Sequence, residues 1–326
     1  MQLEGNISVK DFVKELRDRA EQVVVGQSET ISLVLLAVLC GGHILLEGVP
    51  GTAKTLLART LARLLGVDCK RIQFTPDLMP SDIVGTNVFN LQSSRFEFRS
   101  GPVFTDILIA DEINRTPPKT QAALLEVMEE KTVTIDGVSH PLSALFTVVA
   151  TQNPIEYEGT YRLPEAQLDR FLIKINVNYP PTAEEDRILQ LYQNRSGLGH
   201  PLDALPIPSP ELAQLCRQRL GQARQWVSSI TVRPEVCNYI GQIVRKTREM
   251  DQVLTGASSR AAVHLLQATK VQALMAGRAF VIPDDVKRVC PPVLRHRVTL
   301  QPDAYVEGFT TDDILNTVLE RVEVPR

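Results

Sequence analysis

The sequence contains no apolar run long enough to cross a bilayer. Its longest, ISLVLLAVLC from Ile31 to Cys40, stops well short of the roughly 20 residues a spanning helix needs, so it reads as a buried helix and no membrane span is expected. Basic excess is also missing. The formal net charge is -3 over 326 residues, so no global positive field draws the chain to nucleic acid, and any such binding would need a local patch. Cysteine is sparse: Cys40, Cys69, Cys216, Cys237 and Cys290 are odd in number, widely spaced and mostly set among apolar residues. That argues against a disulfide or metal framework and predicts reduced core thiols in a cytoplasmic protein. The opening MQLEGNISVKD has an acidic residue before any basic one and no apolar stretch of the kind a leader peptide carries, so export is not expected. Neither an internal repeat nor a low-complexity segment stands out.

What is present is alternation. A chain of this length with ordinary apolar content can hold one large or two moderate domains, and two are expected. In the first half, helical periodicity alternates with short apolar runs, the pattern of strands wrapped by helices. SVKDFVKELRDRA, with Ser8 as its N-cap, and ETISLVLLAVLC read as helices, HILLEG as a strand, and KTLLARTLARLLG as a helix ended by Gly66. RIQFT, TDILIADE and LFTVVATQN read as further strands. The fold class is therefore α/β with a mostly parallel sheet. VGTNVFNLQSSRFEFRSGPVF and KTVTIDGVSHPL interrupt the alternation; each carries period-two apolar residues around a turn and is expected to be a β-hairpin. The paired prolines of NVNYPPTAEED close this part, and GHPLDALPIPSPEL reads as a loop or linker. Helical patterns then run from SPELAQLCRQRLGQARQ to TTDDILNTVLERV. The expected division is an α/β domain over 1–185, a linker region over 186–209 and a helical domain over 210–326.

One octapeptide carries chemistry. GVPGTAKT, Gly48 to Thr55, matches the phosphate-loop pattern GxxxxGK(S/T) except at Ala53, where the pattern has glycine. A triphosphate needs inward backbone N–H groups, the positive end of a helix, a lysine for the outer phosphates and a hydroxyl for Mg²⁺. Gly48, Val49, Pro50, Gly51, Thr52 and Ala53, followed by Lys54, Thr55 and Leu56 at the head of a strong helix, supply all of these. Pro50 stiffens the turn and Gly51 allows close backbone approach. Ala53 is expected to take an ordinary negative φ, because alanine is the best helix former and the helix begins there. The run ILIADE places Asp111 and Glu112 at the end of a buried strand. In that position Asp111 would hold Mg²⁺ with Thr55, and Glu112 would polarise an attacking water.

At these residues the chain resembles the AAA+ ATPases, and within them the MoxR family. The similar stretches are GVPGTAKT, FTPDLMPSDIVG, LIADEINRTPPKTQAALLEVMEE, VVATQNPIEYEGTYRLPEAQLDRF, LTGASSRA and VLRHR. They span nearly the whole chain, and alanine before the lysine is usual in that family. The resemblance implies an AAA+ P-loop core with β-hairpin inserts, followed by an all-α lid, that binds ATP with Mg²⁺. It implies that Asn153 is the sensor 1 residue orienting the lytic water, and that Arg170 is an arginine finger reaching the neighbouring subunit's γ phosphate. Arg260 is implied as sensor 2, and Val25 and Gly26 as the segment packing on adenine. Arg162 and Ser259 stand where the family usually has proline, and Thr116 where it usually has alanine. Arg162 thus adds an arginine near the expected interface, and Arg115 is a further candidate for a role in trans. The hairpins of such rings tend to face the central channel, so Phe89, Phe96 and Phe98 either handle polypeptide or pack the hairpin. The implied activity is ATP hydrolysis in a homo-oligomeric ring, expected to be a hexamer, that remodels, chaperones or matures a protein client carrying a von Willebrand factor A domain. The alternatives are a nucleic-acid-stimulated motor of the same superfamily, the ATPase subunit of a metal chelatase, or a nucleotide-dependent scaffold without turnover.

Overall fold

Short apolar segments pair side by side to form the centre of the molecule. In the computed structural model, which describes residues 1–5, 7–154, 160–193 and 201–325, the strands are β1 (His43–Glu47), β2 (Cys69–Gln73), β3 (Ile107–Asp111), β4 (Thr147–Gln152) and β5 (Phe171–Asn176). They form one five-stranded sheet in the order β5-β1-β4-β3-β2, with every pairing parallel. The inner strands β1, β4 and β3 are buried along almost their whole length. Burial on both faces is why they read as continuous apolar runs instead of alternating ones. β5 was not among the strands expected from the sequence. Its run FLIKIN is broken by Lys174, whose charge is met by Glu47 of the neighbouring strand at 2.7 Å, and this ion pair is what lets a lysine sit there.

Helices cover both faces. Helix α1 (Val9–Glu21) starts at Ser8, whose Oγ accepts the Asp11 N–H at 3.1 Å, and it buries Val9, Phe12, Val13, Leu16 and Ala20 along one stripe. Helix α2 (Ser28–Cys40) is buried nearly all round, as its apolar run requires, and Gly41 ends it at φ 68. Helix α3 (Lys54–Leu65) ends at Gly66, φ 63. A Cβ there would come within 2.4 Å of the Ala213 backbone. Helix α4 (Pro118–Glu130) follows β3 through a short 3₁₀ turn.

Beyond residue 201 come α5 (Pro210–Trp226), α6 (Pro234–Thr247), α7 (Ser259–Met275), α8 (Pro283–Leu294) and α9 (Thr311–Arg321). Ser209, Ser258 and Thr310 cap three of them through their hydroxyls. The apolar core falls into two clusters divided by the sheet. One lies between the sheet and α4. The other runs without a break from α1, α2 and α3 into α6, α7, α8 and α9.

Both hairpins form, Gly85–Asn90 with Arg95–Ser100 and Thr132–Ile135 with Val138–Pro141. The second turns at Asp136 and Gly137, both at positive φ (50 and 81), as a two-residue hairpin loop demands. Phe98 of the first hairpin stacks on His140 of the second, with ring centroids 4.1 Å apart, and Asn87 Nδ2 donates to Asp136 at 2.5 Å. Phe98 therefore packs the hairpins together, whereas Phe89 and Phe96 meet edge to face at 5.3 Å with both rings exposed. The cysteines are all free, but only some are core thiols: Cys216 and Cys290 are buried, while Cys69 and Cys237 are exposed. Cys69 opens an edge strand, and Cys237 lies outside the buried stripe of α6. Among the described residues no helix is long and apolar enough to cross a membrane.

His43, at the start of β1, is buried and neutral. Its Nε2 donates to the Met128 carbonyl at 3.0 Å, and its Nδ1 accepts the Val148 N–H at 3.0 Å. Burial pushes its pKa down to about 4, against roughly 6.5 in an unfolded chain. An unfolded chain therefore takes up this proton first as pH falls. Stability should be full above pH 6.5 and decline by about 3 kcal/mol from this group alone on reaching pH 4. Urea unfolding midpoints measured from pH 7 to pH 4 should show that decline, and His43→Gln, less stable at pH 7, should show a shallower one.

Candidate nucleotide-binding site

β1 delivers the chain to a loop whose geometry depends on glycine at specific points. A Cβ on Gly48 would lie 2.3 Å from the Val177 carbonyl oxygen, so the exits of β1 and β5 can pack only across a bare Cα. Gly51 has φ +86, open to glycine at little cost. Thr52 is buried and its Oγ1 donates to the Val49 carbonyl at 2.9 Å, closing the turn. Ala53 corrects the sequence reading. It lies at φ 58, ψ 21, in the left-handed region, and is the N-cap; the helix proper starts one residue later at Lys54. A side chain there costs about 1–2 kcal/mol, which is the reason the general pattern has glycine.

Lys54 folds over this loop. Its Nζ donates to the carbonyls of Gly48 (2.6 Å) and Val49 (2.7 Å) and to Thr52 Oγ1 (3.2 Å). Burial lowers its pKa, opposed by the carboxylates of Asp111 and Glu112. Next along the helix, Thr55 Oγ1 donates to Asp111, lying 3.1 Å from each carboxylate oxygen. Asp111, buried at the end of β3, also accepts from Arg71 Nε (2.5 Å) and Thr151 Oγ1 (3.1 Å). Glu112 follows at φ 58, its N–H donating to Thr151 Oγ1 at 2.9 Å. Its carboxylate is held by Gln73 Nε2 (2.9 Å) and Arg115 Nε (3.0 Å), so Arg115 serves its own chain's Glu112. Asn153 stands just past β4, its carbonyl accepting from Asn114 Nδ2 at 3.4 Å.

These groups enclose a cleft of about 370 Å³, lined by residues 50–56, Arg71, Gln73, Asp111, Glu112, Thr151, Gln152 and Asn153. No sequence motif singles out Arg71, Gln73 or Thr151. The signal that could have found the first two is their i, i+2 spacing in RIQ, which puts both on one face of a strand beside β3.

The remaining expected residues lie elsewhere. Val25 is buried, and Gly26 packs against Pro180 and Glu184; neither lines the cleft. Arg170 immediately precedes β5, so it sits at the opposite end of the parallel sheet from the loop after β1. There its Nε meets Glu129 at 2.9 Å, and Arg260 Nη2 meets the same carboxylate at 2.5 Å. Among the described residues its ion pair is with Glu129 and not with its sequence neighbours Asp169 or Glu165. Asp169 is engaged instead by Arg297 at 2.6 Å. Arg162 is exposed.

Residues 43–173 match the family described as "ATPase family associated with various cellular activities (AAA)", and residues 245–318 match the AAA lid domain. Chaperone MoxR1 of Mycobacterium tuberculosis is 42% identical over 94% of this chain and 80% of its own length. The chain belongs to the MoxR family of AAA+ ATPases. The Bacillus subtilis protein YeaC is 44% identical over 94% of this chain and 93% of its own. The crystal structure of a candidate ATPase from Cytophaga hutchinsonii superposes with a TM-score of 0.86 at 39% identity, covering 98% of this chain and 96% of that one. The α/β AAA+ core, the helical lid and an ATPase activity are thereby established for this MoxR-family protein.

The left-handed backbone at position 53 predicts an order of stabilities in the absence of nucleotide. Ala53→Gly should unfold within about 1 kcal/mol of the parent, because relief of strain offsets glycine's extra chain entropy. Ala53→Val should lose about 1–3 kcal/mol, since a branched side chain at positive φ is strained. An ordinary helical φ would reverse that order in urea titrations, glycine then being the costlier residue.

Proposed function

We propose that this MoxR-family ATPase hydrolyses ATP at a seam between two copies of the chain, in a closed ring that remodels, chaperones or matures a protein client. The observation behind this reading is the division of the candidate site residues: Lys54, Thr55, Asp111, Glu112 and Asn153 gather at one end of the sheet, Arg170 and Arg260 at the other. Head-to-tail contact brings one end of a subunit to the opposite end of the next, and such contacts form a ring when the rotation closes. The ring is proposed to be a hexamer, as the resemblance to the family implies. The same reading takes residues 1–185 as the nucleotide-binding domain, 186–209 as the linker region and 210–326 as the lid.

The chemistry of the donors suits Mg²⁺. Thr55 Oγ1 and the Asp111 carboxylate are hard oxygens 3.1 Å apart, and this ion is held by few protein oxygens together with phosphate. Bound there, Mg²⁺ would neutralise charge on the phosphate oxygens. Lys54 exchanges its loop carbonyl partners for the outer phosphates. Glu112, oriented by Gln73 and Arg115, polarises the attacking water, which Asn153 helps to place. Arg170 of the neighbouring subunit offsets charge at the transferring phosphoryl group, with Arg260 beside it. Val25 and Gly26 pack on the adenine side, near the exit of β5. The name of the relative Chaperone MoxR1 supports a protein client, here proposed to carry a von Willebrand factor A domain, in the cytoplasm.

Glu112→Gln should still bind ATP while turnover falls by about 10²–10⁴-fold. Specific activity of the parent should drop on dilution, as seams come apart, and Arg170→Ala should lose about 10³-fold or more. Stimulation by a von Willebrand factor A protein and not by DNA is the expected client response. Undiminished turnover in Glu112→Gln would refute the hydrolytic assignment.

A further inference from the structure

Arginines are seldom buried, and when they are, every N–H needs an acceptor. Among the described residues, Arg297 is the buried arginine, its side chain 2% exposed. It lies just past the end of α8, in the helical lid. Its Nε donates to Asp169 Oδ1 at 2.6 Å. Nη1 donates to the carbonyls of Leu172 (3.1 Å) and Val293 (2.6 Å). The two N–H groups of Nη2 face three acceptors, the carbonyls of Asp169 (3.0 Å) and Phe171 (2.5 Å) and His264 Nδ1 (2.5 Å), so that two of the three share a hydrogen. The contacts therefore fall on both neighbours of Arg170, namely Asp169 and Phe171.

Other lid residues reach the same segment. His296 Nε2 donates to the Phe171 carbonyl at 3.0 Å, Thr299 Oγ1 donates to Glu165 at 2.5 Å, and Ser258 Oγ stands 3.5 Å from Asp169. A pocket of about 170 Å³ is lined jointly by the Glu165–Asp169 segment and these lid residues. Arg170 itself points to Glu129 and is partly exposed. A guanidinium suits this position because its planar fork reaches several carbonyls at fixed angles, whereas a lysine offers a single point of charge. Burial pushes its pKa down only to about 10, with the Asp169 carboxylate opposing, so it stays charged at neutral pH.

We infer that Arg297 is a positioning residue for Arg170: through one buried guanidinium, the lid sets where the arginine offered to the next subunit stands. This rests on the reading that Arg170 acts across the seam. It makes the lid of one subunit a determinant of hydrolysis in its neighbour, since a lid that shifts carries the segment around residue 170 with it.

The test is complementation between full-length variants. Arg297→Lys should keep its KM for ATP within about threefold while kcat falls at least tenfold. Mixed with Glu112→Gln, it should regain activity, because its own intact loop then meets the intact arginine of the partner variant. Mixed with Arg170→Ala, it should regain none, because both lack a working arginine. Arg170→Ala mixed with Glu112→Gln is the reference pair. If the reference pair stays inactive, the cross-seam reading itself fails, and the inference with it. If the reference pair recovers but Arg297→Lys with Glu112→Gln does not, the role assigned to Arg297 is wrong; unchanged kcat in Arg297→Lys overturns it equally. Should Arg297→Lys not fold, Asp169→Asn, which removes the paired charge at a more exposed position, decides by the same mixtures.

Discussion

The direction of the strands governs everything else in this molecule. Because every pairing in the central sheet is parallel, all carboxyl ends emerge on one side and all amino ends on the other. Residues that follow β1, β3 and β4 are thereby gathered into one cleft, as open parallel sheets commonly arrange. A residue that precedes β5, such as Arg170, is placed about the length of a strand away. No side chain spans that gap within one chain, and at its own end of the sheet Arg170 meets Glu129.

Within the cleft, Asp111 is the organising group. It is buried, yet it accepts from Thr55, Arg71 and Thr151, which come from α3, β2 and β4. A buried carboxylate is tolerated only with such partners. Thr151 also accepts the Glu112 N–H. That bond holds the left-handed turn which carries Glu112 off the strand and toward Gln73 and Arg115.

The parts of this arrangement that were legible in the sequence are contiguous ones. Gly48 to Thr55 and the pair Asp111 and Glu112 each announce themselves within a few residues, and both hairpins were visible from their period and turn residues. What was not legible depends on strand order or on exact helix phase. Arg71 and Gln73 matter only because β2 pairs with β3. FLIKIN does not read as a strand because Lys174 breaks its apolar run, and the Glu47 that offsets this charge lies far away in sequence. At Ala53 a difference of one residue in where the helix begins changes the sign of φ. The joint grip of Glu129 on Arg170 and Arg260 required the lid to be placed against α4, which no local pattern encodes.

Helix α4 links the two ends of the molecule. It begins shortly after Glu112 and carries Glu129 in its last turn, so its 13 residues, about 20 Å at helical rise, act as a ruler between Glu112 and the arginine pair. Each residue added or removed would rotate Glu129 by about 100° around the axis and swing it away from both guanidiniums. The length of this helix is thus fixed by angle as much as by distance, and the chain has little freedom to drift in it.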